Sequence, residues 1–447
     1  MKIAIVTAGA AGMYCGNCLR DNTLARSLTA LGHEVLLIPT YTPTRTDEPN
    51  VSQPRVFLGG INVYLQQKSA FFRHTPWFAD RWLDAPWLLN WASGLAIKTE
   101  AAELGALTAS MLQGEQGPNH KEFVKLAAWL ADDVRPDVVD ISNALLLGLA
   151  PSLRRLLRVP IVCSLAGEDL FLDGLPEPWH SQSVALLRQR VQDVDAFVTF
   201  SHYYASHMLD YLQIPQPKMY QVPLGISLDG YGEGPGALNS AATEGEKTGR
   251  FVVGYLSRIC PEKGLHLLCE AFRLLRGQDR YAECRLRVAG YLGNRDRAYW
   301  EGLERQIQDW GLSESVEYAG EPNRQGKIRF LQSLDVFSVP SVCRESKGLP
   351  VLEAMANRVP VVQPWHGIYT ELVNATQGGV LVPPSDPKAL ADAIAQLFDN
   401  KPYCQEIGRR GRLAVERNFT AQRMAEATLG VYRHCMGKEK ENPRPPR

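Results

Sequence analysis

An excess of charge of either sign is absent from this chain. Its 447 residues contain 48 lysine and arginine residues against 48 aspartate and glutamate residues, so the formal net charge is zero. Proteins that bind nucleic acid normally show a basic excess that matches the phosphate backbone. The apolar share of 45% and the charged share of 21% are those of an ordinary globular protein. We therefore expect no nucleic-acid partner, and the length predicts two or three domains.

Long apolar runs are also missing. No run approaches the roughly 18 residues that are needed to cross a bilayer. The N-terminus has one lysine and a short apolar run without a clear cleavage signal. Such a start is typical of a first β-strand rather than of a signal peptide. We expect a cytoplasmic protein, and leave open a peripheral contact at the inner membrane face.

Two signatures of cofactor or metal binding are incomplete. The spacing of Gly9, Gly12 and Gly16 does not match the dinucleotide fingerprint, so no nicotinamide cofactor is expected. Nine cysteines, an odd number, fit reduced thiols. Cys15 and Cys18 form a CxxC pair. A zinc site would need two more ligands nearby, and a thioredoxin-like role would need a different surrounding fold. The pair alone therefore predicts neither a metal site nor a redox site.

What the chain does contain is repeated strand–helix alternation. The first predicted elements are a strand at 2–7, a helix at 17–31 and a strand at 34–38; further strands are predicted at 137–142, 160–165 and 196–200. Residues 229–250 then hold six glycines and almost no aliphatic side chains, which is typical of an interdomain linker. A second alternating unit follows from 251 to about 415. This pattern predicts two Rossmann-like α/β domains.

The most informative segment is Glu345-Ser-Lys-Gly-Leu-Pro-Val-Leu-Glu353. Pro350 suits the first turn of a helix, which would run to about Met355, with an apolar strand at 359–362 after it. Glu345 would lie in the loop before this helix and Glu353 one turn inside it. A helix start offers backbone N–H groups to an anionic or hydroxyl-rich ligand, and the carboxylates could accept hydrogen bonds from sugar or ribose hydroxyls. The alternative is a capped surface helix with two solvated glutamates.

A second segment carries two cations. A buried strand is predicted at 251–254, and Arg258 and Lys263 follow in the loop before a helix that starts at Leu265. Two cations in a strand-to-helix loop can bind one pair of phosphates. The arginine donates two parallel hydrogen bonds, and the lysine acts as a point charge. The alternative is two solvated loop cations, which is the usual state of lysine and arginine.

Together these segments resemble retaining glycosyltransferases of the GT-B type, and most closely glycosyltransferase family 4 (glycosyl transferases group 1). That family has a Glu-x7-Glu motif, with an arginine and a lysine earlier in the same domain. The resemblance extends in order through the segments 1–7, 32–35, 135–139, 222–226 and 379–384. It implies two Rossmann-like domains that face each other across a cleft, and a C-terminal helix that crosses back to the N-terminal domain.

The resemblance also implies domain boundaries and a reaction. We expect an N-terminal acceptor-side domain at 1–228 with a terminal helix at about 420–435, a linker at 229–250, a donor-binding domain at 251–419 and a flexible tail at 437–447. The expected reaction is the retaining transfer of a hexose-type sugar from a nucleotide-diphosphate sugar to an acceptor hydroxyl of a glycan, glycolipid or small molecule. Same-face attack would need no obligatory protein nucleophile.

The site residues follow from the same resemblance. The expected catalytic residues are Arg258, Lys263 and Glu345; the donor-binding residues are Gly16, Glu353, Lys347, Gly348 and Leu349; the acceptor or sugar side is assigned to Asn143, Glu168 and Asp169. Because the two cations can neutralise the leaving diphosphate, no metal or other cofactor is expected. The one Asp-x-Asp, Asp193-Val-Asp195, precedes a buried strand and is interpreted as a strand entry.

Four positions depart from the family pattern. Ala166 stands where the family often has a histidine, so Glu168 or Asp169 could take a substitute role. Lys347 replaces a common aromatic residue, and we expect it to point to solvent rather than to select a charged sugar. Asn357-Arg358 replaces a helix-ending glycine, and asparagine tolerates the left-handed conformation that such a turn needs. The family's glycine pair near the donor diphosphate falls on Cys15-Gly16, so that only its second glycine is present.

Several alternatives stay open. The tryptophan-rich segment 68–98 predicts a buried helical insertion, although similar segments line carbohydrate clefts or lie at membrane interfaces. On the same architecture, a nucleotide-sugar epimerase or hydrolase is an alternative enzyme. A non-catalytic nucleotide-sugar-binding or scaffold protein is a third reading, which Ala166 supports. The sequence does not specify the base, the sugar, the acceptor or the oligomeric state.

Overall fold

The computed structural model describes residues 1–9, 14–58, 101–232 and 250–441, apart from the side chains of 101, 102 and 438–441. The chain divides into two compact units. The first comprises Met1–Pro223 together with the chain from Ala421, and the second comprises Leu224–Thr420. The predicted tryptophan-rich insertion lies outside the described residues, as do 233–249 of the predicted linker and 442–447 of the predicted tail.

The first unit is built on a six-stranded parallel sheet. Its strands, in the spatial order β2-β1-β3-β4-β5-β6, are β1 (Lys2–Thr7), β2 (Glu34–Pro39), β3 (Val138–Ile141), β4 (Ile161–Ser164), β5 (Ala196–Thr199) and β6 (Met219–Gln221). The side chains of β3, β4 and β5 are buried throughout, as expected for strands covered on both faces. The five strands predicted for this unit are each confirmed to within two residues.

Seven helices surround this sheet in the described part of the chain before residue 223. They are α1 (Gly16–Ala30), α2 (Ala101–Gln113), α3 (His120–Trp129), α4 (Ala150–Leu156), α5 (Glu168–Asp173), α6 (Trp179–Arg190) and α7 (His202–Leu212). The predicted helix at 17–31 is confirmed as α1. Ser201 caps α7 because its side chain accepts a 3.1 Å hydrogen bond from the backbone N–H of Tyr204.

The interpretation of Asp193-Val-Asp195 as a strand entry is confirmed. Asp195 directly precedes β5, and its Oδ2 accepts a 2.8 Å hydrogen bond from the N–H of Ile161 at the start of β4. Its other carboxylate oxygen pairs with Arg154 at 2.9 Å. The carboxylate therefore ties the beginnings of two neighbouring strands together.

The second unit repeats the architecture. Its parallel strands, in the order β12-β11-β10-β7-β8-β9, are β7 (Val252–Leu256), β8 (Arg285–Ala289), β9 (Val316–Tyr318), β10 (Val336–Phe337), β11 (Val361–Pro364) and β12 (Gly379–Val382). Its helices are α8 (Leu265–Arg276), α9 (Arg297–Asp309), α10 (Arg324–Gln332), α11 (Leu349–Ala356), α12 (Ile368–Thr376), α13 (Pro387–Asp399) and α14 (Lys401–Asn418). Each strand order reverses direction at one point, as in doubly wound sheets.

The last helix, α15 (Ala421–Glu441), belongs to the first unit. Tyr432 of α15 donates a hydrogen bond to Asp140 of β3, and the ring of His434 lies 5.7 Å from that of Tyr220 in β6. The predicted return of the C-terminal helix to the N-terminal domain is confirmed. The helix continues through residues 437–441, where the sequence predicted a flexible tail. None of the helices in the described residues is long and apolar enough to cross a membrane.

Candidate functional site

Arg258 and Lys263 occupy the loop between β7 and α8, as predicted. A short 3-10 turn, Pro261–Lys263, leads into Gly264 and then α8. Gly264 has φ +71°, and a Cβ added there would lie 1.9 Å from the carbonyl oxygen of Pro340. Glycine is required at this position because any side chain would separate the loop from the segment that leads to Glu345. The close approach brings the two sequence motifs together.

Lys263 and Glu345 form an ion pair across 82 positions of sequence. Their side chains are only 18% and 13% exposed. Burial opposes both charges, but Glu345 raises the pKa of Lys263, and Lys263 lowers the pKa of Glu345. The pair is therefore ionised at neutral pH.

Two further side chains surround the Glu345 carboxylate. Ser341 Oγ and Cys343 Sγ donate to Glu345 Oε1 at 3.3 and 3.5 Å. Burial and the neighbouring Glu345 raise the pKa of Cys343 to about 12, which keeps the thiol protonated as a donor. Neither residue was singled out from the sequence, because a serine and a cysteine in a loop carry no distinguishing pattern.

The Arg258 side chain differs from that of Lys263. It is half-buried, and its guanidinium makes no hydrogen bond or ion pair within the residues that the structure describes. Burial raises the pKa of Cys260 to about 11, and the Arg258 charge opposes that rise. An arginine guanidinium offers five donors in a rigid fork. Those donors are available to an anionic ligand beside Lys263.

The helix start predicted after Glu345 is confirmed as the N-terminus of α11. Gly348 is the N-cap with φ +95°, and its carbonyl accepts hydrogen bonds from Val351 and Leu352 at 3.0 and 3.2 Å. Lys347, expected to point to solvent, is half-buried, and its charge contributes to lowering the pKa of Glu345. The backbone of Gly348 and Leu349 begins the helix, where amide groups have no intrahelical acceptor.

Glu353 lies one turn inside α11, as predicted, but the side chains around it were not foreseen. Lys327 of α10 donates to Glu353 Oε1, and the Tyr231 hydroxyl donates to the same oxygen at 3.1 Å. All three residues are at least nine-tenths buried. Lysine is rarely buried without a paired carboxylate. No sequence signal distinguishes Lys327 from a solvated helix lysine, because its partner is 26 positions away.

The turn after α11 forms, but with a different residue in the left-handed conformation. Asn357, the expected residue, has φ −99°, whereas Arg358 has φ +61°. The N–H of Val359 bonds to the carbonyl of Ala354 and that of Arg358 to Met355, which is the Schellman pattern. Asn357 instead uses its side-chain amide to donate to the carbonyl of Glu353 at 2.9 Å. Because this turn extends to Val359, β11 begins two residues later than predicted.

The candidate residues of the first unit are held by the chain itself. Glu168 is buried and accepts hydrogen bonds from the backbone N–H of Ala144 at 3.2 Å and of Ala166 at 2.7 Å. Asp169 accepts from the Tyr204 hydroxyl at 2.7 Å and contacts His207 Nε2 at 3.1 Å. Both carboxylates therefore organise the loop in which Ala166 replaces the family's histidine.

Two other predicted positions of the first unit lie at helix starts. Asn143 caps the 3-10 helix 144–149, because its side chain accepts a 2.8 Å hydrogen bond from the N–H of Leu145. Gly16 is the first residue of α1, between Cys15 and the helix interior. Over the described ranges, no group of three or more histidine, cysteine, aspartate or glutamate side chains is arranged to hold a metal ion.

Comparison with solved structures identifies the fold as the GT-B type. The glycosyltransferase HepE from Anabaena, in complex with UDP, superposes with a TM-score of 0.66 over 97% of this chain and 100% of its own, at 16% sequence identity. Another structure of HepE holds UDP-glucose. At this identity the likeness shows the fold, two parallel six-stranded sheets with helices, and nothing further about the ligand of this chain.

Family comparison supplies the narrower assignment. The family model described as glycosyl transferases group 1 matches residues 239–414, and the glycosyl transferase 4-like domain model matches residues 22–225. The two matches together span most of the chain. This protein therefore belongs to the group 1 glycosyltransferases.

Two curated relatives illustrate the range of that family. The lipopolysaccharide core biosynthesis mannosyltransferase LpcC of Rhizobium leguminosarum is 32% identical over 190 residues, which is 42% of this chain and 52% of LpcC. A D-inositol 3-phosphate glycosyltransferase of Saccharomonospora viridis is 25% identical over 406 residues, 85% of this chain and 90% of its own. The chain spans only about two fifths to one half of the length of several curated relatives that it matches.

Proposed function

We propose that this protein is a retaining glycosyltransferase that moves a hexose-type sugar from a nucleotide-diphosphate sugar to an acceptor hydroxyl. The observation that carries the proposal is the ionised Lys263–Glu345 pair. The guanidinium of Arg258, in the same loop as Lys263, makes no hydrogen bond or ion pair within the described residues. Sugar transfer develops negative charge on the departing diphosphate, and fixed cations aimed at that charge are the largest available source of rate enhancement. The relatives that carry glycosyltransferase names support this choice of ligand.

In this mechanism the bond between the anomeric carbon and the diphosphate oxygen breaks, and its electron pair leaves with the diphosphate. The acceptor oxygen forms the new bond on the same face of the sugar, and its proton passes to the departing phosphate oxygen. Arg258 and Lys263 stabilise the departing charge. Glu345 holds Lys263 in place, and the amides at Gly348 and Leu349 bind the transferred sugar. No protein nucleophile is required.

Glu353 binds the ribose hydroxyls of the nucleotide in this proposal. A carboxylate accepts hydrogen bonds from two neighbouring hydroxyls, and its position near the N-terminus of α11 fits a hydroxyl-rich ligand. Lys327 and Tyr231 fix its Oε1. Because the cations supply the counter-charge, the proposed reaction uses neither a divalent metal nor another cofactor.

Acceptor binding is assigned to the first unit, with Asn143, Glu168 and Asp169 at the loops that follow β3 and β4. Glu168 acts there by holding the backbone of Ala166 and Ala144. Asp169 is the candidate for binding the acceptor. It would act through His207, which it contacts and whose side chain is one-third exposed. The acceptor class remains a glycan, a glycolipid or a small molecule, and a lipid acceptor would bring the protein to the inner membrane face.

The test begins with nucleotide binding. Thermal shifts are recorded with UDP, GDP, ADP and TDP and their common sugar conjugates, with and without EDTA, because a ligand that binds the folded state raises its melting temperature. One base that stabilises the protein equally in EDTA is the expected result. An acceptor screen with that donor follows, and NMR of the product reports whether the anomeric configuration is retained. Absence of a shift from every nucleotide would contradict the proposal.

A nucleotide-sugar-binding protein without transfer activity is the second candidate, and Ala166 is the observation that favours it. This residue is buried, and its N–H is engaged by Glu168, so no ionisable group stands at the position of the family's histidine. Donor binding would then persist without turnover. Cleavage of the donor that depends on added acceptor separates the two candidates, since only a transferase consumes both.

A further inference from the structure

The CxxC pair lies at the start of α1 in a geometry suited to disulfide formation. Cys15 is the N-cap residue, with extended φ −114° and ψ 129°, and Cys18 is the third residue of the helix. The N–H of Leu19 bonds to the carbonyl of Cys15 at 2.9 Å, so the first turn is closed. In a helical turn, Cα atoms three residues apart are separated by about 5 Å. That spacing falls within the range of about 4.4–6.8 Å that disulfides span.

The two thiols are in contact and differ in their surroundings. The Cys18 side chain is 1% exposed and hydrogen-bonds to Cys15, which is half-buried. The hydrogen bond to Cys15, together with burial, strongly raises the pKa of Cys18. Cys18 therefore stays protonated and donates toward the Cys15 sulfur. A sulfur at a helix N-terminus is further stabilised as a thiolate by the backbone N–H groups and the helix dipole.

The remaining cysteines do not share these properties. Six of them, Cys163, Cys260, Cys269, Cys284, Cys404 and Cys435, are buried. Cys343 is half-buried, but its thiol donates to Glu345 and its pKa is raised to about 12. Only the pair at the start of α1 combines a half-buried cysteine, a neighbouring donor thiol and a helix N-terminus. That combination is a property of dithiol redox sites.

We propose that Cys15 and Cys18 are a redox modification site that forms a reversible intramolecular disulfide with a small-molecule disulfide as oxidant. The Cys15 thiolate attacks one sulfur of the oxidant, forms a mixed disulfide and releases one small thiolate. The Cys18 thiol then attacks the Cys15 sulfur, and its proton passes to the second small thiolate, which departs as a thiol. Two protein thiols are oxidised and one disulfide is reduced to two thiols, so atoms and electrons balance.

The bond would close a ring that contains Gly16 and Asn17. It would thereby fix the chain at the entry to α1, where Gly16 is also a proposed donor contact. The inference itself does not depend on the proposed function, because disulfide formation is measured without substrate. Transferase activity and disulfide formation can therefore fail independently of one another.

The experiment treats the full-length native protein with oxidised glutathione, blocks the remaining thiols and maps tryptic peptides by mass spectrometry. Cleavage after Lys2 and Arg20 yields one peptide, residues 3–20, that contains both cysteines and no other. We expect this peptide to be lighter by two hydrogens, and we expect excess dithiothreitol to reverse the change. Cys163, which is fully buried, is the internal control and should stay reduced.

Two variants test the order of attack. Cys18→Ser should accumulate a glutathione adduct on Cys15, because the resolving thiol is absent. Cys15→Ser should leave Cys18 unmodified, because its sulfur is buried. Circular dichroism establishes whether each variant is folded. If a variant is not folded, the wild-type peptide map alone tests the proposed disulfide. A reduced 3–20 peptide in the native protein, under conditions where the denatured protein forms the disulfide, would overturn the proposal. An adduct on Cys18 but not on Cys15 would overturn the assigned order.

Discussion

The Tyr432 hydroxyl donates a 2.5 Å hydrogen bond to Asp140 Oδ2, joining residues 292 positions apart in the first unit. Both side chains are almost completely buried, and Ser164 Oγ donates to the other carboxylate oxygen at 3.4 Å. Burial raises the pKa of Asp140 to about 6, against its ordinary value of 3.8, even though Tyr432 and Arg20 act to lower it. A carboxyl group with a raised pKa makes the stability of the unit depend on pH.

The sign of this dependence gives a prediction for Asp140→Asn. Protonated Asp140 stabilises the folded state fully below pH 3.8, and that contribution is lost as the pH rises through about 6. Asparagine does not titrate. From pH 4 to pH 7, the wild type should therefore lose about 2 kcal/mol of unfolding free energy relative to the variant, at 1.36 kcal/mol per pKa unit. Urea denaturation at several pH values measures the difference, and parallel curves would contradict it.

Arg258→Ala is expected to lower turnover by a factor on the order of 10²–10³, as for other groups that stabilise transition-state charge. Stability should change little, because the guanidinium makes no hydrogen bond or ion pair within the described parts of the chain. The measurement is kcat alongside the melting temperature. Arg280→Ala, at a surface arginine with 64% of its side chain exposed, is the matched control. Near-normal turnover in Arg258→Ala would remove the diphosphate role.

Lys263→Ala should lower turnover and also destabilise the fold, because it leaves the mostly buried Glu345 carboxylate without its cation. Adding Glu345→Gln should recover stability, since the unpaired charge is then gone, but turnover should stay low. Urea denaturation and kcat of the two single variants and the double variant complete the cycle. Recovery of turnover in the double variant would show that Lys263 acts only as a structural partner.

Glu353→Ala should weaken nucleotide binding. It should also cost about 3–5 kcal/mol of stability, because it leaves Lys327 buried beside the vacated position. The double variant Glu353→Ala with Lys327→Met should regain stability without regaining affinity. Isothermal titration with the preferred nucleotide, and with its 2′-deoxyribose analogue, provides the measurement. Wild-type protein should discriminate between the two ligands, and the variants should not. Unchanged affinity in both variants would move the ribose contact elsewhere.

Two glycines should respond in opposite directions to alanine. Gly264→Ala places a methyl group against the Pro340 carbonyl in a left-handed conformation, and should destabilise by about 2–4 kcal/mol. Gly302 lies inside α9 with nothing within 4 Å of an added Cβ, so Gly302→Ala should stabilise by about 0.5–1 kcal/mol. The melting temperature of each variant measures its change in stability. A shift of both melting temperatures in the same direction would refute the argument.

The sequence predicts those features that local chemistry determines. The start of α11 was predictable because Pro350 favours the first turn and Gly348 accepts a left-handed backbone. The loop position of Arg258 and Lys263 followed from a buried strand and an apolar-periodic helix on either side. The family resemblance then supplied the roles of these residues, which spacing alone leaves open.

Features that depend on distant contacts were not predictable. From the sequence, Lys327 is indistinguishable from a solvated helix residue. Only the fold shows that it is buried against Glu353. The left-handed residue after α11 is Arg358 rather than Asn357, whose side-chain amide donates to the carbonyl of Glu353. The hydrogen bond of Tyr432 to Asp140 joins residues 292 positions apart, which no local pattern encodes.

The return of α15 to the first unit also determines the order in which the protein can be completed during synthesis. The second unit is continuous in sequence, from Leu224 to Thr420, so all of its strands are available before α15 is translated. The first unit, although begun earlier, lacks Tyr432 and the rest of α15 until α15 itself is translated. Of the two donors to the Asp140 carboxylate, Ser164 and Tyr432, the second is therefore translated last. A chain that ends after residue 420 would therefore contain every residue of the second unit but would lack α15 of the first.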